Sequence, residues 1–231
     1  MRKKIVALLM AVVSCFSLGA TAFAAENPEQ TFKDVEPGTW YYEGVEYVNE
    51  RGLMTGMGGE DEGYFKPDEY LQRQDLALIL ARYYQKNINS DLDLDETNEV
   101  YYANAVAWVN KYNIMTGYSS GDFGIGDPII RQDMCLALYN HQESIYPLAT
   151  AAVVPNYGLI HLFPDGYLVS SYAGNQMYRM VQYDVIQGEG TDVKLLNPHG
   201  KVTRGMAAVM LQRYLEAFEH YLIKGHKDML L

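Results

Sequence analysis

The feature that most constrains this chain is a segment that returns twice. Gly52-Leu53-Met54-Thr55-Gly56 reappears 61 residues later as Asn113-Ile114-Met115-Thr116-Gly117, and 132 residues after the original as Asp184-Val185-Ile186-Gln187-Gly188. The same offsets align Trp40 with Tyr101 and Tyr172, Val45 with Val106 and Met177, and Val48 with Val109 and Met180. Downstream of each anchor come a proline (Pro67, Pro128, Pro198) and an arginine that opens an apolar stretch (Arg73, Arg131, Arg204). Self-similarity at such a period marks a repeat architecture, in which one unit cannot bury its apolar face alone. The units span 31–90, 91–150 and 160–220, with an inserted connection from Ile145 to Ile160 and a tail at 221–231.

Each unit reads as helix, loop, helix. Tyr41, Val45, Val48 and Gly52 recur at helical spacing, with Thr39 as the expected N-cap and Gly52 at the C-terminal stop. The second helix carries Leu76, Ile79, Leu80 and Tyr83, matched by Met134, Ala137, Leu138 and His141 and by Ala207, Met210, Leu211 and Tyr214. The last helix is expected to run to Lys224 and stop at Gly225. Between the helices lies a loop rich in Gly and Asp, with a short extended piece at Tyr64-Phe65. The expectation is one all-α domain with pseudo-threefold internal symmetry.

The first 24 residues have the form of a signal peptide: Arg2, Lys3 and Lys4, an apolar run, then the cleavage pattern Ala22-Phe23-Ala24. Val12-Val13-Ser14-Cys15 also fits a lipoprotein signal, but the apolar run continues past Cys15 to the A-x-A site. Removing three cations and no acid takes the net charge from −11 to −14. So acidic a surface repels phosphate backbones and argues against a nucleic-acid partner. No membrane span is expected after cleavage. Cys135, alone in the mature chain, falls on an apolar helix face as a buried thiol.

Phe32-Lys33-Asp34-Val35, Trp40-Tyr41, Gly52-Leu53-Met54-Thr55-Gly56, Phe65-Lys66-Pro67 and Gln72-Arg73-Gln74-Asp75 together resemble the S-layer homology module, with its F-x-D-V opening, G-[ILV]-[IVM]-x-G, F-x-P and T-R-A-E motifs. The later units depart from it. Asp93 stands where Phe is expected, Ile130-Arg131-Gln132-Asp133 lacks the Thr, Phe163-Pro164-Asp165 is one residue out of register, and Arg204 is followed by Gly205-Met206. The resemblance implies three tandem modules folding into a trimer-like unit with a central helical bundle. It also implies an exported protein held non-covalently on secondary cell wall polysaccharide, often pyruvylated, on a Gram-positive type of wall.

A pyruvate ketal presents a carboxylate on a sugar, and Arg73, Arg131 and Arg204 each offer a planar fork that matches it. Their place at helix starts would add backbone N–H groups and the positive end of the helix dipole. Trp40, Tyr101 and Tyr172 could stack on sugar faces or belong to the core. Gly56, Gly117 and Gly188 could admit the ligand close to the backbone or serve as turns. Asp34, Asp95 and Asp165 could accept sugar hydroxyls, hold the arginines or cap helices. With a net charge of −14, binding must rest on local cationic pockets acting at close range.

No catalytic residue, metal site or cofactor is expected. The five histidines (His141, His161, His199, His220, His226) form no H-E-x-x-H pattern, and no P-loop occurs. Asp122 and Asp127 are near each other by abundance of acids, and Glu60-Asp61-Glu62 lacks an EF-hand's alternation. The competing expectation is a self-associating surface protein, or an adaptor for a protein partner, presenting a tyrosine-rich face.

Overall fold

A computed structural model describes residues 30–97, 100–145 and 158–228. The signal segment, Cys15 and most of the connection after Ile145 lie outside them. Among the described residues there are six α-helices: α1 (Tyr42–Glu50), α2 (Arg73–Asn87), α3 (Ala103–Lys111), α4 (Arg131–Ile145), α5 (Gly174–Gln182) and α6 (Arg204–Asp228). Among the described residues there is no strand, only isolated bridges, so the protein is all-α.

The short helices α1, α3 and α5 end in the same way. Gly52, Asn113 and Asp184 take φ of 58°, 54° and 61°, the left-handed region. The next residue then donates its N–H back five positions: Leu53 to Val48, Ile114 to Val109, Val185 to Met180. This is the Schellman closure, which satisfies carbonyls the helix end would leave orphaned. The repeating anchor is therefore the signature of a helix stop.

Three local expectations are corrected. The Thr39 hydroxyl donates to Glu36 O rather than capping α1, whose first cap residue is Tyr41. Residues 59–61 form a 3₁₀ turn, and Tyr64-Phe65 is not a strand. Gly225 does not end α6, which continues to Asp228; an interior glycine costs a helix about 1 kcal/mol, a weakening rather than a stop.

The helices do not pair within a unit. The second helix of each unit packs on the first helix of another: α2 on α3, α4 on α5, and α6 back on α1. Periodicity reveals how wide an apolar stripe is, but not which other stripe covers it. The result is one continuous core, in which Leu76, Leu80, Met134, Leu138 and Leu211 are all buried. Each such side chain contributes about 2 kcal/mol of transfer free energy.

A closed ring of backbone hydrogen bonds lies where the three long helices begin. Leu71 N–H donates to Val202 O, Val202 N–H to Ile129 O, and Ile129 N–H to Leu71 O, each at 2.9 Å. These residues hold the same place relative to Arg73, Arg131 and Arg204. Along the helices, one matching position in each unit carries Tyr83, His141 and Tyr214. His141 is buried between the two tyrosines, with Nδ1 2.8 Å from the Tyr214 hydroxyl. Burial pushes the His141 imidazole down to about 3, so it sits in the core neutral. Cys135 is buried as expected, and desolvation raises its thiol to about 12.

Candidate functional site: the interunit arginine clefts

Each long helix begins with an arginine that reaches into the loop of another unit. Arg73 Nε donates to Phe123 O at 2.9 Å and Nη2 to Thr116 O at 2.8 Å. Arg204 repeats the pattern, Nε to Phe65 O at 2.7 Å and Nη2 to Thr55 O at 2.9 Å. Arg131 Nε donates to Leu196 O at 2.8 Å. Thus the first unit grips the second, the second grips the third, and the third grips the first. Arg73 and Arg131 are only 5% and 4% exposed. Arg204 is half-buried, and desolvation lowers its pKa against the raising influence of Asp75, Glu69 and Asp34.

The gripped loops share a frame. Met57 N–H donates to Tyr64 O, Tyr118 N–H to Asp122 O, and Glu189 N–H to Leu195 O. Asp34 clamps its loop by accepting Phe65 N–H on one carboxylate oxygen and Lys66 N–H on the other, at 2.8 and 2.7 Å. Asp165 does the same with Leu196 and Asn197, at the same two distances. The one-residue slip in the third unit leaves this clamp intact. In the second unit the arrangement differs: Asp95 accepts from Thr97, and Gly124 N–H turns to Asp122. Pro128 is not the counterpart of Pro67 and Pro198; it occupies the Tyr70 position, where it pairs with Gln72.

The glycines face their own unit. A Cβ on Gly56 would lie 2.6 Å from the Phe32 ring, and one on Gly188 would lie 2.7 Å from the Phe163 ring. One on Gly117 would lie 2.5 Å from Asp122 O. The helix-start N–H groups are also engaged: Arg73 donates to Asp127 O, Arg131 to Gly200 O, and Arg204 to Glu69 O. The picture of these leading amides as free donors for an anion is therefore corrected; the neighbouring unit already fills them.

The aromatic positions divide. The Tyr101 hydroxyl donates to Asp75 at 2.7 Å, and the Tyr172 hydroxyl donates to Asp133 at 2.8 Å while Gln132 donates to it. Desolvation and the acceptor carboxylate raise both phenols. Trp40, at 63% exposed, stands edge-on to Tyr41. The residue matching Asp75 and Asp133 in the third unit is Met206, so the chain has no carboxylate there for a phenol to meet.

One cleft gathers residues from all three units: Arg73, Thr116, Gly117, Tyr118, Asp133 and Tyr172 border a cavity of about 580 Å³. The Arg73 guanidinium lies 4.9 Å from the Tyr118 ring centre, and its Nη1 is 3.5 Å from Asp133. Three sequence candidates, Arg73, Gly117 and Tyr172, meet here. Thr116, Tyr118 and Asp133 were missed, although Asp133 repeats the Arg-x-Asp spacing of Arg73 and Asp75. A second concavity, about 460 Å³ beside Tyr84, Trp108, Asp91 and Asp93, contains none of the candidates. Among the described residues, no cluster of His, Cys, Asp or Glu could hold a metal ion, and no helix is long and apolar enough to cross a membrane.

Fold and clefts define the class: an all-α protein of repeated helix–loop–helix units, with a guanidinium at each junction. The family model of the S-layer homology domain matches residues 31–77 and 93–135, so the chain carries S-layer homology sequence in its first two units. That domain is a cell-surface anchoring module that typically binds cell-wall polymers. No curated protein matches the chain.

Proposed function

We propose that this chain is an exported, non-catalytic anchor composed of three S-layer homology copies, at 31–90, 91–150 and 160–220, about a pseudo-threefold axis. Its partner is the secondary polysaccharide of a Gram-positive type of wall, recognised through an acidic substituent such as a pyruvate ketal. The observation that carries this reading is the cleft at Arg73. A buried guanidinium, oriented by two backbone carbonyls and with Nη1 3.5 Å from Asp133, borders a cavity of about 580 Å³ walled by Tyr118 and Tyr172. A planar fork suits a carboxylate, and an aromatic face suits a sugar ring.

The third unit lies outside the matched segments but supports the reading as a further copy. Its Asp165 clamp, its Asp184 helix stop and its Arg204 grip repeat those of the first. The test is co-sedimentation of the mature protein with cell-wall sacculi before and after the non-peptidoglycan polymer is stripped. Retention should disappear with the polymer. Undiminished retention on stripped sacculi, or large assemblies in sedimentation with no wall present, would favour a peptidoglycan or self-associating role instead.

A further inference from the structure

The three clefts share a backbone frame but differ in what faces the guanidinium. Position for position, Met57, Tyr118 and Glu189 follow Gly56, Gly117 and Gly188, and each makes the same loop-closing N–H bond. The third residue alone is an acid. Glu189 Oε1 lies 3.0 Å from Arg131 Nη1 and is buried, while Asn197 Nδ2 donates to the other oxygen at 2.8 Å. In the Arg73 cleft the nearest carboxylate, Asp133, stands off at 3.5 Å and has its other oxygen engaged by Tyr172. Among the described residues, Arg204 has no carboxylate within 4.0 Å.

We propose that Glu189 is a built-in occupant of the Arg131 cleft, closing that cleft to acidic ligands and leaving the Arg73 and Arg204 clefts as the anion-accepting sites. This rests on the reading of the clefts as carboxylate sites and adds their inequality. The physical reason is direct. A ligand carboxylate reaching Arg131 must displace one already held by the guanidinium and by Asn197, and would set the half-buried Glu189 beside a second negative charge. Juxtaposed like charges exclude a partner more strongly than a missing contact does. The occupant is tethered within the chain, so its effective concentration is high whatever the ligand concentration.

The experiment follows the arginine Nε–H resonances of the mature protein by nitrogen–proton NMR. Each Nε–H is held by a backbone carbonyl, which slows its exchange. The probe is a methyl hexopyranoside carrying a 4,6-linked pyruvate ketal. In the unmodified protein, the Arg73 and Arg204 signals should move on titration while Arg131 stays still. In Glu189→Gln, and in Glu189→Ala as a second variant, Arg131 should begin to respond, with affinity gained about tenfold or more at that site. Tyr118→Glu, which copies the Glu189 arrangement into the first cleft, should silence Arg73 while Arg204 continues to respond.

An Arg131 response in the unmodified protein equal to that of Arg73 would overturn the proposal. So would an Arg131 that stays silent in both folded Glu189 variants while the other two arginines respond. If no arginine responds in any variant, the carboxylate reading of the clefts falls, and this inference with it.

Discussion

The Arg73 and Arg131 clefts are the same construction with different chemistry. Both arginines start a long helix, both are almost fully buried, and both hand Nε–H to a carbonyl in the next unit's loop. Yet one borders an open cavity with Tyr118, Asp133 and Tyr172, and the other meets Glu189 at 3.0 Å, with Met206 where the acid would be. The contrast separates two roles. Backbone amides and carbonyls at the junctions hold the units together and tolerate little change. Side chains beside them vary and, on the proposed reading, set what each junction accepts.

The largest effect should come from removing a junction arginine. Arg131→Ala takes the donor from the Leu196 carbonyl and the Glu189 carboxylate, and Arg73→Ala from the Phe123 and Thr116 carbonyls and the Asp133 carboxylate, so each should cost about 3–5 kcal/mol in urea unfolding. Arg204→Ala, at a more exposed junction, should cost clearly less. Equal, small losses at all three would break the claim that these side chains bind the units together. Because alanine disturbs the fold, lost wall binding in such variants says little about ligand contact; Arg73→Lys, which keeps the charge but not the fork, separates the two.

Next come the loop clamps. Asp165→Ala strands the Leu196 and Asn197 amides and should cost about 2–3 kcal/mol, as should Asp34→Ala for Phe65 and Lys66. Asp95→Ala should cost distinctly less, since Asp95 does not hold the equivalent amides.

The divergence reaches the centre, where Tyr83 and Tyr214 flank His141. Its folded pKa lies below its unfolded value, so the unfolded chain takes up the proton first as pH falls. Stability should be full above pH ~6.5 and decline toward pH ~3, with a slope approaching about 1.4 kcal/mol per pH unit from this one group. Relative to His141→Phe, the unmodified protein should therefore lose ground as pH drops from 7 to 4 in urea titrations. A constant difference would refute the buried neutral imidazole.

The smallest contrast is aromatic. Tyr172→Phe removes a hydroxyl that links Gln132 and Asp133 and should cost about 1 kcal/mol. Trp40→Phe, at an exposed ring, should stay within about 0.5 kcal/mol.

Helix positions, the apolar stripes and the junction arginines were legible in the chain because each recurs at fixed offsets. The Schellman stops are legible too, once Gly52, Asn113 and Asp184 are seen to share one left-handed position. The pairing of α1 with α6 was not legible, because a stripe does not name its cover. Nor were the roles of Asp34 and Asp165, whose partners are backbone amides about thirty residues downstream that carry no sequence mark. Glu189 sat next to an anchor glycine, but only three-dimensional placement sets it against Arg131.

The central claim, that junction guanidiniums hold an acidic glycan, is tested most directly by calorimetric titration of the mature protein with wall polysaccharide before and after mild acid removes its ketal pyruvate. Saturable binding to the intact polymer, abolished by ketal removal, is the predicted result. Equal affinity for both forms would contradict it.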